Sequence, residues 1–230
     1  MISQQNLTQV AFLPRIFPVN CYLVEEVDGL TLIDTGLSFC FRGIVEAAAR
    51  LHKPIRRIVL THGHLDHVGA LDALKHSMPD VPVYISSRDA RLLGGDTNLL
   101  PDEPAVPIRG SVPTGVKTKA DVLLSDGDTI GSLLAISAPG HTPGSMAFLD
   151  TRNHFLIAGD AFQTRGGLAV SGKLRPWFPF PALATWCKSE AVESAKKLLA
   201  LQPTLLAVGH GRMLEHPAAA IKQAIAEATN

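Results

Sequence analysis

The chain has 230 residues, 46% hydrophobic and 18% charged, with 21 basic and 21 acidic side chains. This is enough apolar material for one buried core, so a single domain over 1–230 is expected, and the balanced charge offers no basic face for nucleic acid. Cys21, Cys40 and Cys187 are odd in number and widely spaced, which implies neither a disulfide framework nor a CxxC zinc site.

Residues 19–36 read as a hairpin: a strand over 21–24, a turn at Asp28-Gly29 and a return strand over 30–33. The hairpin ends in Asp34-Thr35-Gly36. A helix is predicted over 39–52, with Ile44, Val45, Ala48 and Leu51 facing inward. Arg57-Ile58-Val59-Leu60 is a short β-branched run that reads as a buried strand. It leads into Thr61-His62-Gly63-His64-Leu65-Asp66-His67, after which Val68, Leu71, Leu74 and Met78 recur at helical spacing. His62, His64, Asp66 and His67 therefore share one strand-to-helix loop, where they can crowd around a point. Imidazole and carboxylate are the usual ligands of zinc-like metals.

Residues 81–85 form another strand, and Pro82 suggests an edge position. Residues 92–120 lack periodicity and carry four prolines; such a run is a lid, a mobile loop or a plain surface excursion. Strands resume at 122–124 and 133–136, joined through Ser125-Asp126-Gly127-Asp128. Next, Pro139-Gly140-His141-Thr142-Pro143-Gly144 makes a rigid turn that would present His141 in a fixed orientation. A second hairpin, 146–149 with 155–158, ends in Gly159-Asp160 and echoes the first; a strand-ending aspartate serves equally well as a cap. Residues 165–181 are rich in glycine and proline and include Trp177, Phe178 and Phe180. An amphipathic helix over 185–201 precedes a strand over 204–208. That strand delivers Gly209-His210-Gly211, whose glycines allow close backbone approach. A helix over 217–228 closes the chain, and His52, His76, His154 and His216 read as surface residues. No signal-peptide core follows Met1 and no apolar run reaches the ~18 residues of a membrane span. The expectation is a cytoplasmic protein with a small-molecule substrate and no nucleic-acid or membrane partner. A homodimer is left open.

Taken together, the motifs Leu32-Ile33-Asp34-Thr35-Gly36, His62-x-His64-x-Asp66-His67, Pro139-Gly140-His141, Gly159-Asp160 and Gly209-His210 resemble the metallo-β-lactamase superfamily over nearly the whole chain. The resemblance implies an α/β fold, a four-layer αββα sandwich with two mixed sheets face to face. It also implies two divalent metals, zinc foremost, with iron or manganese as alternatives. His62, His64 and His141 would hold one, Asp66, His67 and His210 the other, and Asp160 would lie between them. Asp34 would orient ligands without binding metal. Two dications about 3.5–4 Å apart lower the pKa of a shared water and polarise a carbonyl, and Asp66 would serve in proton transfer.

Departures within the family narrow the substrate. Its true β-lactamases lack the aspartate found here at Asp160. Glyoxalase II enzymes add a helical domain, whereas only 20 residues follow His210. Lactonases of the family often carry tyrosine where this chain has Gln163, an amide that can hydrogen-bond substrate but donates protons poorly. A dinuclear hydrolase of a small ester, thioester or lactone is the reading; a mononuclear-iron, persulfide-dioxygenase-like enzyme is the alternative. Substrate selection is expected from 92–120 or from Gln163, Trp177, Phe178 and Phe180. The three aromatics would either line the pocket or pack against the helix over 185–201. Arg165 and Arg175 would hold an acidic group or remain solvated.

Overall fold

The computed structural model describes residues 1–229, so Asn230, the last residue of the expected span, lies outside the described residues. The first sheet holds β1 (Ile2–Gln4), β2 (Leu7–Phe12), β3 (Val19–Glu25), β4 (Leu30–Ile33), β5 (Ile55–Val59), β6 (Val83–Ser86) and β7 (Val122–Leu124), side by side in that order. Pairing is antiparallel up to β4 and parallel from β4 to β7. The second sheet begins with β8 (Thr129–Ile130), β9 (Leu133–Ser137), β10 (Met146–Asp150) and β11 (Phe155–Ile157). A short ribbon of β12 (Phe162–Gln163) and β13 (Ala169–Val170) follows, and then β14 (Leu205–Ala207) and β15 (Leu214–Glu215) complete the sheet in the order β15-β14-β11-β10-β9-β8.

Side chains alternate across a strand, and here each face meets a different core. Cys21 and Leu23 of β3, Leu30 and Leu32 of β4 and Ile58 of β5 pack under α1 (Phe41–Arg50) and, beyond the short α2 (Leu65–Val68), under α3 (Leu71–Ser77). Their neighbours Tyr22, Val24, Ile33 and Val59 point the other way and meet Leu133, Ala135, Phe148 and Ile157 of the second sheet. On the far side, Ile136, Ala147, Leu149, Leu156 and Leu206 form a third core with α6 (Lys188–Ala200) and α7 (Ala218–Thr229). The two remaining helices, α4 (Asp89–Leu93) and α5 (Phe180–Ala184), lie in connecting loops. Three stacked cores make four layers, αββα. Burial on both faces is why the strands read as near-continuous apolar runs. Phe148, fully buried between the sheets, alone contributes about 1.5–3 kcal/mol. Among the described residues no helix is long and apolar enough to cross a membrane.

Several expectations need correction. β6 is internal, between β5 and β7, because Pro82 stands just before it and uses its carbonyl to accept from Ile58 N (3.0 Å). The segment Ser125-Asp126-Gly127-Asp128 leads on from β7 as expected, but it crosses from the first sheet to the second and meets the unforeseen β8 before β9. Val45 is exposed, and the inner face of α1 uses Ile44, Ala47 and Ala48, the three- and four-residue spacing that one helical stripe requires. The helix after the histidine loop is split into α2 and α3, because Gly69 N donates to Gly36 O (2.7 Å) and leaves the helical ladder.

Strand direction positions the site. β9 and β11 both run antiparallel to β10, and β14 is parallel to β11. These three strands, with β4 and β5 opposite, deliver their C-terminal loops to one end of the sandwich.

Candidate metal centre

Asp34 follows β4, residues 61–67 follow β5, and His141, Asp160 and His210 follow β9, β11 and β14. Their ligand-capable atoms fall into three overlapping groups, His62/His64/His141, His62/His67/Asp160 and Asp66/His67/His210, with the atoms of each within 4.8 Å of one another. His64 Nδ1 is 3.0 Å from His141 Nε2. Asp160 Oδ2 lies 3.0 Å from His210 Nε2 and 3.4 Å from His141 Nε2, while its Oδ1 is 3.5 Å from His67 Nε2. Asp66 Oδ2 is 3.4 Å from His210 Nε2. All seven residues singled out in the sequence are in this cluster. Gly209 makes the approach feasible, since a Cβ there would stand 2.1 Å from Asp160 Oδ1.

The outer nitrogen of every histidine is spoken for. His62 Nδ1–H donates to Thr61 Oγ1 (3.0 Å), whose own hydrogen goes to Asp34 Oδ2 (2.7 Å). His64 Nε2–H donates to the Arg109 carbonyl (2.8 Å), His67 Nδ1–H to Asp34 Oδ2 (2.7 Å) and His210 Nδ1–H to the Pro18 carbonyl (2.6 Å). His141 Nδ1–H donates to Ser171 Oγ (3.0 Å), which hands on to Thr185 Oγ1 (2.8 Å) and then to the Pro181 carbonyl (2.7 Å). An imidazole that spends one nitrogen as donor keeps a lone pair on the other, and all five lone pairs face the shared centre, through Nδ1 for His64 and Nε2 for the rest. His62 Nε2, His67 Nε2 and Asp160 Oδ1 are buried there without a partner, an arrangement that costs about 1–3 kcal/mol per atom unless something satisfies it. A nitrogen and carboxylate donor set of this kind fits zinc, iron or manganese ions.

Two further carboxylates hold the loops. Asp34, as expected, also accepts from Thr61 N (2.8 Å). Asp89, which no motif had marked, is fully buried and accepts from Gly63 N (2.8 Å), Thr142 Oγ1 (2.7 Å) and Gly144 N (2.8 Å). It ties the loop carrying His62–His67 to the loop carrying His141.

Burial lowers the pKa of each histidine, but carboxylates reverse this on one side of the site. Asp160, Asp34 and Asp66 push His67 up to about 9, and Asp160 with Asp66 holds His210 well above its usual value. Burial wins at His62 and at His141, which falls to about 3. In the metal-free protein at pH 7, His67 and His210 therefore carry protons that a divalent ion must displace. Because both pKa values are raised, competition is strongest at low pH and fades as pH rises, toward about pH 9 at His67. Apparent metal affinity should climb from pH 6 to 8 by up to about tenfold per pH unit for each proton displaced. Chelator-competition titrations at pH 6, 7 and 8 measure this, and a flat profile would contradict it.

A cleft of about 300 Å³ opens onto the cluster, walled by Phe17, Phe180, Pro181, Leu183 and Ala184 on one side and Gly110-Ser111 on the other. Of Gln163, Trp177, Phe178 and Phe180 only Phe180 lines it, while Gly110 and Ser111 come from the other expected stretch, 92–120. Phe178 is buried with its ring 5.3 Å from that of His210, packing behind the ligand. Trp177 is 88% exposed and stands outside the cleft. Gln163 is buried and donates to the Phe178 carbonyl (3.2 Å). Arg175 pairs with Glu227 (2.7 Å). Phe17, on the β2–β3 loop, was not foreseen; its ring sits 5.2 Å from Phe180 and 5.3 Å from His210.

Comparison with known proteins agrees with this geometry. The chain is 56% identical to YobT of Bacillus subtilis (strain 168) across 97% of its own length and 96% of that protein. It is 31% identical to YflN of the same organism, described as a probable metallo-hydrolase, across 84% of this chain and 80% of that one. The crystal structure of TTHA1623 in a di-iron-bound form superposes with a TM-score of 0.65 at 28% identity, covering 92% of this chain and 96% of that chain. The family model described as the metallo-beta-lactamase superfamily matches residues 14–210. That span runs from the loop bearing Phe17 to His210, and with the identity to YflN it makes the chain an enzyme of the metallo-beta-lactamase superfamily.

Proposed function

We propose that the enzyme is a hydrolase that uses two divalent ions to cleave a small ester, thioester or lactone whose acyl part is uncharged and apolar. His62, His64 and His141 would hold one ion, Asp66, His67 and His210 the other, and Asp160 would serve both. The observation that carries this is the set of five imidazole lone pairs turned inward, each fixed by an acceptor on its opposite nitrogen. When bound, two such ions supply a nucleophile from water at neutral pH and a Lewis acid for the carbonyl.

The chain's own side chains do the remaining work. Asp66 is the ligand most open to the cleft, its side chain 17% exposed. Burial tends to raise its pKa, but His67 and His210 hold it well below the usual carboxylate range. It is therefore an ionised acceptor at the cleft, placed to orient the attacking water and to carry its proton to the leaving group. The walls select the substrate. Among the described residues no lysine or arginine lines the cleft, so a distal carboxylate on the acyl chain would lose its hydration there with no basic side chain to receive it. The volume, about 300 Å³, is at the small end for ligand sites.

A metal-quantified sample tested on a panel of uncharged esters, thioesters and lactones decides the matter. About two divalent ions per chain are expected, with kcat/KM at least about tenfold higher for neutral acyl groups than for analogues bearing a distal carboxylate, a difference of about 1.4 kcal/mol. One tightly bound iron per chain, with oxygen uptake on a persulfide and no ester cleavage, would replace this reading with the dioxygenase.

A further inference from the structure

A second concavity, about 910 Å³, is lined by Gly211, next to His210, and shares no lining residue with the metal cleft. It opens where the sheets part, between β2 and β3 on one side and β15 with the loop after β12 on the other. Its lining is mostly apolar, but three arginines reach it, Arg15, Arg165 and Arg212, and among the described residues no acidic side chain does. Elsewhere Arg57, Arg88, Arg91, Arg152 and Arg175 each pair with a carboxylate. Among the described residues these three have no such partner; Arg42, Arg50, Arg56 and Arg109 also lack one, but only Arg15, Arg165 and Arg212 converge on this slot. Arg165 Nη2 instead donates to the Arg15 carbonyl (2.6 Å), which ties two of the three together along one rim.

The floor adds an independent observation. Gln9 and Asn20 line the slot, are 2% and 1% exposed, and both donate to the Gly211 carbonyl, at 2.7 and 2.8 Å. Their own carbonyl oxygens, Oε1 and Oδ1, are buried with no partner. Unmatched buried acceptors call for a donor, unpaired guanidiniums call for an anion, and the apolar walls call for an apolar body.

We infer that this slot is a second ligand site, for a small organic carboxylate whose apolar body carries an amide or hydroxyl hydrogen. The carboxylate sits at the arginine rim, and the N–H or O–H reaches toward Gln9 and Asn20. The site is distinct from the metal cleft, where no arginine is present, and it does not depend on the hydrolase reading.

Dansylglycine carries a ring system, a sulfonamide N–H and a carboxylate, and dansylamide is its uncharged counterpart. Fluorescence titration of the metal-loaded enzyme should give one saturable dansylglycine site, at least about tenfold tighter than for dansylamide. The double substitution Arg15→Gln with Arg212→Gln should weaken dansylglycine at least tenfold with no change in melting temperature, both side chains being exposed. Absence of saturable binding would overturn the inference. So would equal affinity in the double variant, which would put the probe elsewhere, on the metals included.

Discussion

Replacing Asp160 with alanine should empty both halves of the metal centre and lower kcat/KM by well over about 100-fold. Its two oxygens face different ligands: Oδ1 faces His67, while Oδ2 faces His141 and His210. Its carboxylate thus reaches members of both outer triads at once. The scale comes from comparison with Asp34, which only orients His67 and Thr61; removing an outer partner of that kind costs roughly 10–100-fold in metal affinity or activity. Asp160→Ala should therefore fall below Asp34→Asn in both metal content and turnover. Circular dichroism and a melting curve would show that the fold persists. An Asp160→Ala enzyme that retains two ions and full turnover would remove the aspartate from the centre.

How far the sequence could be read depended on where the determining contacts lie. His62, His64, Asp66 and His67 share one loop, so short-range spacing reveals them. The strands were legible because alternate residues such as Tyr22 and Leu23 enter different cores and leave an unbroken apolar run. Asp160 and His210 alone looked like ordinary strand ends and gained meaning only from the family resemblance. Asp89 was missed because it reads as the start of a helix, and its partners Gly63, Thr142 and Gly144 are distant in the chain. The acceptors on His64 and His210 are the backbone carbonyls of Arg109 and Pro18, and a carbonyl has no residue-type signature. Phe17 and Trp177 show the same limit for the pocket. Which of two loop aromatics turns inward is decided by neighbours such as Phe178 and Phe180, not by local composition.

Gly110→Ala should split the two metal sites. The proline-rich excursion over 92–120 comes back across the centre as a strap. Trp186 Nε1 donates to the Val106 carbonyl (2.7 Å), Leu65 N donates to the Ser111 carbonyl (2.8 Å), and between these anchors the Arg109 carbonyl fixes His64. Gly110 has φ +90°, and a Cβ there would meet the His64 ring at 2.4 Å. An alanine would carry about 1–3 kcal/mol of backbone strain and would also displace something. If the ring tilts, Nδ1 leaves its place 3.0 Å from His141 Nε2; if the strap lifts, Nε2–H loses its acceptor and the tautomer is no longer fixed. Either way the His62/His64/His141 group should lose roughly 10–100-fold in metal affinity. The Asp66/His67/His210 group, which the strap does not hold by any side-chain hydrogen bond to those three, should keep its own. Chelator-competition titration would then resolve one tight and one weakened ion. Arg109→Ala is the control, because it keeps the carbonyl and should leave both ions in place. General destabilisation would lower the melting temperature without separating the two affinities, and wild-type affinity at both sites in Gly110→Ala would mean the strap merely covers the centre.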